Sequence, residues 1–438
     1  MYSVMRKVFI SAIFILLSLV SPLSSDAAVW SLDSCVSYAV THNLTVKARA
    51  LERDNAEISL TAAKDKYLPQ LGAYASESFA FGRGLNSQNT YSDRNTSNFS
   101  WGANLSLPLF QGLSAKRGVE YAKVNLRQVV EQWEASKDDV TLNVISQYLQ
   151  VLYTGELLEV SRLQRDLSSV ELQRRRELLD AGKIAELEVL EAESQLAQDE
   201  LSVITSGNDR SMALLDLTQL LQLTDTVGFE VAPLDENRFP LLSADEVYAN
   251  AMANNHSVLA ARTGIEAAQK NISLAQTGYL PTLSFSAGIG SSYYHLSGIP
   301  NESFGSQMRN NLSKSLGFSL NIPIFDAFST RNNIRRAKVQ RLNAELQYEE
   351  ISTTLYKSIR QAYFLAVGAE KKKGAALEAV KSTKAAFDAM QIKYNYGKAN
   401  ATEFEQAKTA YIRALAEELQ ARYESVLRLK ILEFYNRH

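Results

Sequence analysis

Two periodicities divide this chain. Phe99, Trp101, Ala103, Leu105 and Leu107 alternate with Ser100, Gly102, Asn104 and Ser106, a period of two that predicts a strand with one apolar and one wet face. Leu283, Phe285, Ala287 and Ile289 alternate in the same way with serine and glycine, and so do Leu316, Phe318, Leu320 and Ile322 with serine, glycine and asparagine. Leu71, Ala73, Ala75, Phe79 and Phe81 form a weaker version, interrupted by Glu77. Four strands are therefore expected, near residues 70–82, 98–109, 282–294 and 314–324. Elsewhere the spacing is helical, as in Val140, Val144, Tyr148 and Val151, and again in Tyr411, Leu415, Leu419, Tyr423 and Val426. Pro69 and Pro281 mark the end of a first helix, and Pro108 and Pro323 the end of the second strand of each pair. No proline follows from Leu109 to Ala232, or from Ile324 to the C-terminus. Gly182 and Gly397 then close those tracts, because glycine enters the left-handed conformation that caps a last turn. Leu113–Ala181 and Phe328–Tyr396 are thus predicted as helices of 69 residues, roughly 100 Å each.

The chain reads as a duplication. Tyr67-Leu68-Pro69-Gln70-Leu71 recurs as Tyr279-Leu280-Pro281-Thr282-Leu283 at an offset of 212, which Asp33, Asn43, Val46, Ala56 and Ala63 share with Asp245, Asn255, Val258, Ala268 and Ala275. Leu107-Pro108-Leu109-Phe110 recurs as Ile322-Pro323-Ile324-Phe325 at an offset of 215, together with Tyr148 and Tyr363, and with Gly182-Lys183 and Gly397-Lys398. Residues 28–241 and 242–438 are read as two repeats of one plan: helix, strand, strand, very long helix, helix. Before them, Arg6 and Lys7 precede an apolar run from Val8 to Val20, and Ser25-Asp26-Ala27 supplies small residues for cleavage. Residues 1–27 are therefore expected to be an export signal. No later stretch reaches 18 consecutive apolar residues, so no helical membrane anchor is predicted.

Composition narrows the chemistry. Lys and Arg number 46 against 48 Asp and Glu, which leaves no basic excess for a nucleic acid. One cysteine, Cys35, excludes an internal disulfide framework, a four-thiolate zinc site and a CxxC redox pair, and the four histidines lie far apart with no HExxH. Gly82-Arg83-Gly84 and Gly288-Ile289-Gly290 lack the third glycine of a nucleotide loop. Acidic pairs such as Glu349-Glu350 read as solvated helix faces. No catalytic group, metal site or cofactor is expected; the chain does not read as an enzyme.

An alternating sheet fits a soluble core, and it fits equally a transmembrane barrel with its apolar face toward lipid. Strands of about 10–11 residues suit a tilted span of the bilayer. An open sheet edge is not tolerated in hydrocarbon, and barrels of this kind need at least about eight strands, so a four-stranded protomer must share its barrel with other copies. In the membrane reading the lipid-facing residues are Phe99, Trp101, Leu105, Phe285, Phe318 and Leu320. In the rival reading the chain is an exported coiled-coil rod or spacer without a channel.

The export signal, the two repeats, the YLP before each strand pair, and LPLF or IPIF leading into a long helix resemble the TolC-type outer membrane efflux family. So does Gly182 followed by Ala185-Glu186-Leu187-Glu188-Val189-Leu190-Glu191-Ala192. The resemblance covers residues 30–436. It implies a mainly α fold in which a long coiled-coil helical tube joins a β-barrel, four strands per protomer and twelve in a trimer. It implies an outer membrane location in a Gram-negative bacterium, with the tube extending into the periplasm. The function it implies is passive exit for substrates of a tripartite efflux pump or a type I secretion system, with an inner-membrane transporter supplying energy and a periplasmic adaptor docking on the helical tips. Those tips are Gly182, Lys183, Gly397 and Lys398. The resemblance also places the periplasmic entrance at Tyr394, Glu403 and Gln406, with Ala399 where relatives carry arginine and Gln406 where they carry a second acid.

Overall fold

The computed structural model describes residues 29–85, 89–224, 228–234 and 243–437. The expected export signal, 1–27, and the junction of the repeats at 241/242 lie outside the described residues. In chain order the elements are β1 (Val29–Trp30), α1 (Leu32–His42), α2 (Leu44–Asp65), β2 (Gln70–Ala80), β3 (Arg83–Leu85), β4 (Tyr91–Asp93), β5 (Thr96–Gln111), α3 (Ser114–Asp180) and α4 (Glu186–Leu220). They continue with β6 (Glu230–Val231), α5 (Ala244–Asn254), α6 (His256–Ala275), β7 (Thr282–Leu296), α7 (Phe304–Asn310), β8 (Ser313–Asn321), α8 (Ser329–Asn395) and α9 (Ala401–Arg437). The fold is mainly helical, and α3 and α8 each run for 67 residues. No helix among the described residues is long and apolar enough to cross a membrane.

The first helix expected in each repeat is in fact two. Asn43 separates α1 from α2, and its Oδ1 accepts the backbone N–H of Thr45 at 2.9 Å. Asn255, its repeat mate, separates α5 from α6 and accepts from Ser257 and Val258 at 3.2 and 3.3 Å. An asparagine that caps a new helix ends the old one by satisfying the orphan donors of the next turn. The Asn43/Asn255 match is thus a repeated helix break.

The chain forms two compact units, and each takes segments from both repeats. The described residues of one fall within Met1–Lys47, Lys137–Val247 and Ile359–Arg437. In it β1 pairs in parallel with β6, and the buried hydroxyl of Tyr148 lies 3.0 Å from the Trp30 carbonyl and 2.6 Å from that of Ala232. Cys35, Ala39, Leu217 and Leu221 are fully buried in this unit.

The other unit holds the sheet, ordered β2-β5-β7-β8 and antiparallel throughout. Register places Leu71, Leu105, Ala287 and Leu316 in one row, and Leu107, Phe285 and Phe318 in another. The other face carries rows such as Gly72, Asn104, Gly288 and Ser315. Side chains alternate across a strand, so most apolar residues reach one side and most of the serine, glycine and asparagine the other, with Tyr74, Ala80 and Leu296 as exceptions on the wet face. Within the protomer α7 covers part of that side, where Phe304 packs on Phe99 and Tyr293 at 5.7 and 5.2 Å, and along β8 it is open: Leu316 is 79% and Phe318 73% exposed.

Two further expectations are corrected here. Pro108 does not end its strand, since β5 continues to Gln111 with a register shift between Pro108 and Phe110. A proline has no N–H for the ladder, and an irregularity at that point accommodates it. The polar loop from His295 to Lys314 contains the helix α7. β8 pairs with β7 only between Thr282 and Gly290, so the far part of that β7 edge has no strand beside it. Side chains take the strand's place: Gln307 meets both the N–H and the carbonyl of Tyr294 at 3.0 Å, and Asn311 donates to the Ser292 carbonyl at 2.7 Å. Asn301 meets the N–H and the carbonyl of Leu296 at 3.0 and 2.8 Å. Buried or edge backbone groups demand partners, and amide side chains supply them.

Candidate functional site at the helical turns

The turns after α3 and α8 are built alike. Gly182 has φ +70° and Gly397 φ +68°. Gly182 N–H donates to the Leu179 carbonyl at 2.8 Å and Lys183 N–H to Leu178 at 2.9 Å. Gly397 and Lys398 donate equivalently to Tyr394 and Lys393 at 3.1 and 2.8 Å. These paired bonds close the last carbonyls of each helix, and the left-handed residue they require is glycine because a Cβ there would be strained. No atom lies within 4 Å of a Cβ built on either glycine, so the backbone conformation alone explains them. Lys183 and Lys398 are exposed on these turns.

Beside the second turn lies a buried cluster around Tyr394, which is 9% exposed. Its hydroxyl donates to Glu171 Oε1, and Arg175 Nε donates to the same oxygen at 2.8 Å. Arg175 also donates to the Glu188 carbonyl at 2.9 Å, tying α3 to the start of α4. On the ring's face the Arg174 guanidinium stands 4.1 Å from the centroid. Arg174 further donates to Asn395 Oδ1 at 2.7 Å and to the Tyr394 carbonyl at 2.9 Å. Phe404, in the first turn of α9, stacks on Tyr394 at 4.8 Å and 16°, and Phe387 packs next to it. Burial pushes the Tyr394 hydroxyl up to about 12, and its hydrogen bond to the Glu171 carboxylate adds to the rise. At neutral pH this phenol is therefore a permanent donor.

Of the residues expected at the entrance, only Tyr394 belongs to this cluster. Glu403 is exposed and forms a capping box: its carboxylate accepts from Asn400 N–H at 3.0 Å, and Asn400 Oδ1 accepts from Glu403 N–H at 2.8 Å. Gln406 is exposed on α9. Sequence reasoning missed Glu171, Arg174 and Arg175. Their one local signal is the spacing of Glu171 and Arg175, an acid four residues before a base on a helix, which many solvated faces share. Phe99, Trp101, Leu105, Phe285, Phe318 and Leu320 lie on one face of the sheet by register. Among the described residues no group of His, Cys, Asp and Glu is placed to hold a metal ion.

Comparison with known proteins adds a family and a fold. The description of the outer membrane efflux protein family matches residues 36–222 and 247–433. Outer membrane protein TolC of Escherichia coli strain K12 is 26% identical over 416 residues, covering 93% of this chain and 82% of that protein. Outer membrane protein TolC of Vibrio cholerae is 25% identical over 412 residues, covering 92% and 90%. Among solved structures, the CmeC outer membrane channel of Campylobacter jejuni superposes with a TM-score of 0.79 at 17% identity, covering 93% of this chain and 85% of that one.

Proposed function

The chain belongs to the outer membrane efflux protein family, and we propose that three copies of it assemble into an exit channel through the outer membrane. The observation that carries this reading is the sheet. Among the described residues its outer strands, β2 and β8, have unpaired edges, β2 is exposed at every residue, and one face is mostly apolar, interrupted by polar residues such as Glu77, Ser291 and Lys314. Hydrocarbon tolerates such a face but not such edges, because each unpaired backbone group there costs several kcal/mol. Pairing β2 of one copy with β8 of the next removes both edges. Three copies then close twelve strands, with Phe99, Trp101, Leu105, Phe285, Phe318 and Leu320 toward lipid and the serine and glycine rows toward water.

The long helices extend this barrel into a periplasmic tube. The turns at Gly182–Lys183 and Gly397–Lys398 present exposed lysines to a periplasmic adaptor, and an inner-membrane transporter supplies the energy. Passage through the channel is passive, and no catalysis is assigned to it. The Tyr394 cluster closes the entrance by holding the end of α8 against α3 through Glu171, Arg174 and Arg175. The test is fractionation of the full chain expressed in a Gram-negative host. The expected result is an outer-membrane trimer that needs detergent for extraction. A soluble periplasmic monomer would overturn the channel reading and favour a rod.

A further inference from the structure

Next to the Tyr394 cluster lies a second buried group that the entrance reading does not use. Lys408, on α9, is 1% exposed. Its ammonium donates to Ser168 Oγ on α3 at 2.9 Å and lies 2.6 Å from the Glu405 carboxylate. The Ser168 hydroxyl donates onward to Asp199 Oδ2 on α4 at 2.5 Å. Asp199, also 1% exposed, accepts at its other oxygen from Gln164 at 2.6 Å and from Gln195 at 3.0 Å. Three helices, drawn from both repeats, thus meet at one fully satisfied polar joint.

Its position relates it to the entrance. Ser168 precedes Glu171 by three residues on α3, and Lys408 follows Phe404 by four on α9. Residues at those spacings lie one above the other on a helix face. The Lys408–Ser168 bond therefore links the helix that carries the stacking partner of Tyr394 to the helix that carries its acceptor. An apolar seam admits several axial registers at similar energy, whereas a buried ammonium admits only the one that pairs it. Sliding α9 by a turn would strand Lys408 unpaired in the seam. Charged joints of this kind add little net stability but specify register.

We propose that Lys408, Ser168 and Asp199 are positioning residues of the entrance: their joint fixes the register of α9 on α3 and α4, and so sets Phe404 and Glu171 against Tyr394. The inference rests on the reading of Tyr394 as the closing residue. It is tested with full-length trimers reconstituted in planar bilayers, by recording single-channel conductance for Tyr394→Phe, Lys408→Met, the double variant and Lys408→Arg. Lys408→Met should raise conductance by at least half of the rise that Tyr394→Phe produces. The double variant should add little to the larger single effect, because the two changes act on one contact. Lys408→Arg, which keeps the donor, should behave as wild type. Lys408→Met strips a buried partner from Ser168 and Glu405 and should lower the melting temperature in detergent; Leu432→Ala, an apolar core lesion elsewhere in this unit, should lower it comparably while leaving conductance as in wild type. If Lys408→Met does not assemble, Asp199→Asn, which removes only charge, carries the same comparison. A response to Tyr394→Phe with none to Lys408→Met, or with fully additive effects, overturns the joint alone. Silence of Tyr394→Phe overturns the entrance reading and the joint with it.

Discussion

Removing one oxygen, in Tyr394→Phe, tests the entrance most directly. The phenol donates to a buried carboxylate, and hydrogen bonds to charged acceptors contribute about 1.5–3 kcal/mol each. Arg175 still holds Glu171, and Arg174 still covers the ring, so the loss per protomer falls near the lower half of that range. If the bond exists only in the closed entrance, about 2 kcal/mol shifts the closed-to-open ratio of one protomer roughly 30-fold toward open. The assay is single-channel recording across pH. In the wild type the hydroxyl is raised to about 12 by burial and by Glu171, above the value near 10 of a free tyrosine. A proton held more tightly in the folded, closed state contributes stability that is complete below about pH 10 and lost as pH climbs through 12. Wild-type conductance should therefore stay flat between about pH 7 and 9 and rise above about 10, whereas the Phe variant should be high throughout and lack that rise. Identical conductance and identical pH profiles for the two proteins would refute the reasoning, since no arrangement in which Tyr394 closes the channel gives that result.

Two other outcomes follow from the same structure. Replacing Lys183 and Lys398 together with Glu reverses the charge on both exposed turns without touching Gly182 or Gly397; export should fall while trimers and membrane insertion persist, and unchanged adaptor cross-linking would show that the turns only cap helices. Leu105→Arg, on the apolar face, should cost about 2–4 kcal/mol of barrel stability in lipid vesicles, whereas Asn104→Arg, on the facing side, should cost far less; equal effects would mean that the sheet does not face lipid.

Most of the architecture is legible because long, regular elements write their period into the sequence. The alternation that ends in Leu316, Phe318 and Leu320 needs no partner to be seen, and Gly182 and Gly397 announce their turns through a backbone demand that only glycine meets cheaply. Asn43 and Asn255 were visible as a repeated pair, yet their meaning was hidden, because an asparagine reads as a helix break only once its side chain is seen to cap the next helix. α7 was hidden for another reason: it answers an edge left by the shortness of β8, a tertiary fact with no local period. The site was the least legible part. Tyr394 and Glu171 are 223 residues apart, and nothing along the chain says that α3 and α8 end side by side. Glu403 was ambiguous, because an acid in a first turn serves an entrance and a capping box equally well, and within the protomer its carboxylate accepts from Asn400 in the box.

The only thiol of the chain offers a check on the unit that contains this site. Cys35 is fully buried on α1, and burial raises its thiol to about 11. Reaction with a maleimide requires thiolate, so at pH 8 the native thiol should react on the order of a hundredfold more slowly than an ordinary one by ionisation alone, and occlusion slows it further. Labelling of the native protein must then proceed through local opening, and its rate reports the free energy of that opening. Tyr148 should govern it. Its hydroxyl sits between the carbonyls of Trp30 and Ala232, at the ends of the two strands that flank α1 and follow α4. Tyr148→Phe leaves both carbonyls without that donor, a penalty of about 1–3 kcal/mol, which corresponds to labelling of Cys35 faster by roughly 5- to 100-fold. A control in denaturant should show wild type and variant labelling at one rate, because the unfolded thiol no longer depends on Tyr148. If native wild-type protein labels as fast as the denatured chain, Cys35 is not in a packed core, and the tie that Tyr148 makes between β1 and β6 does not hold that unit together.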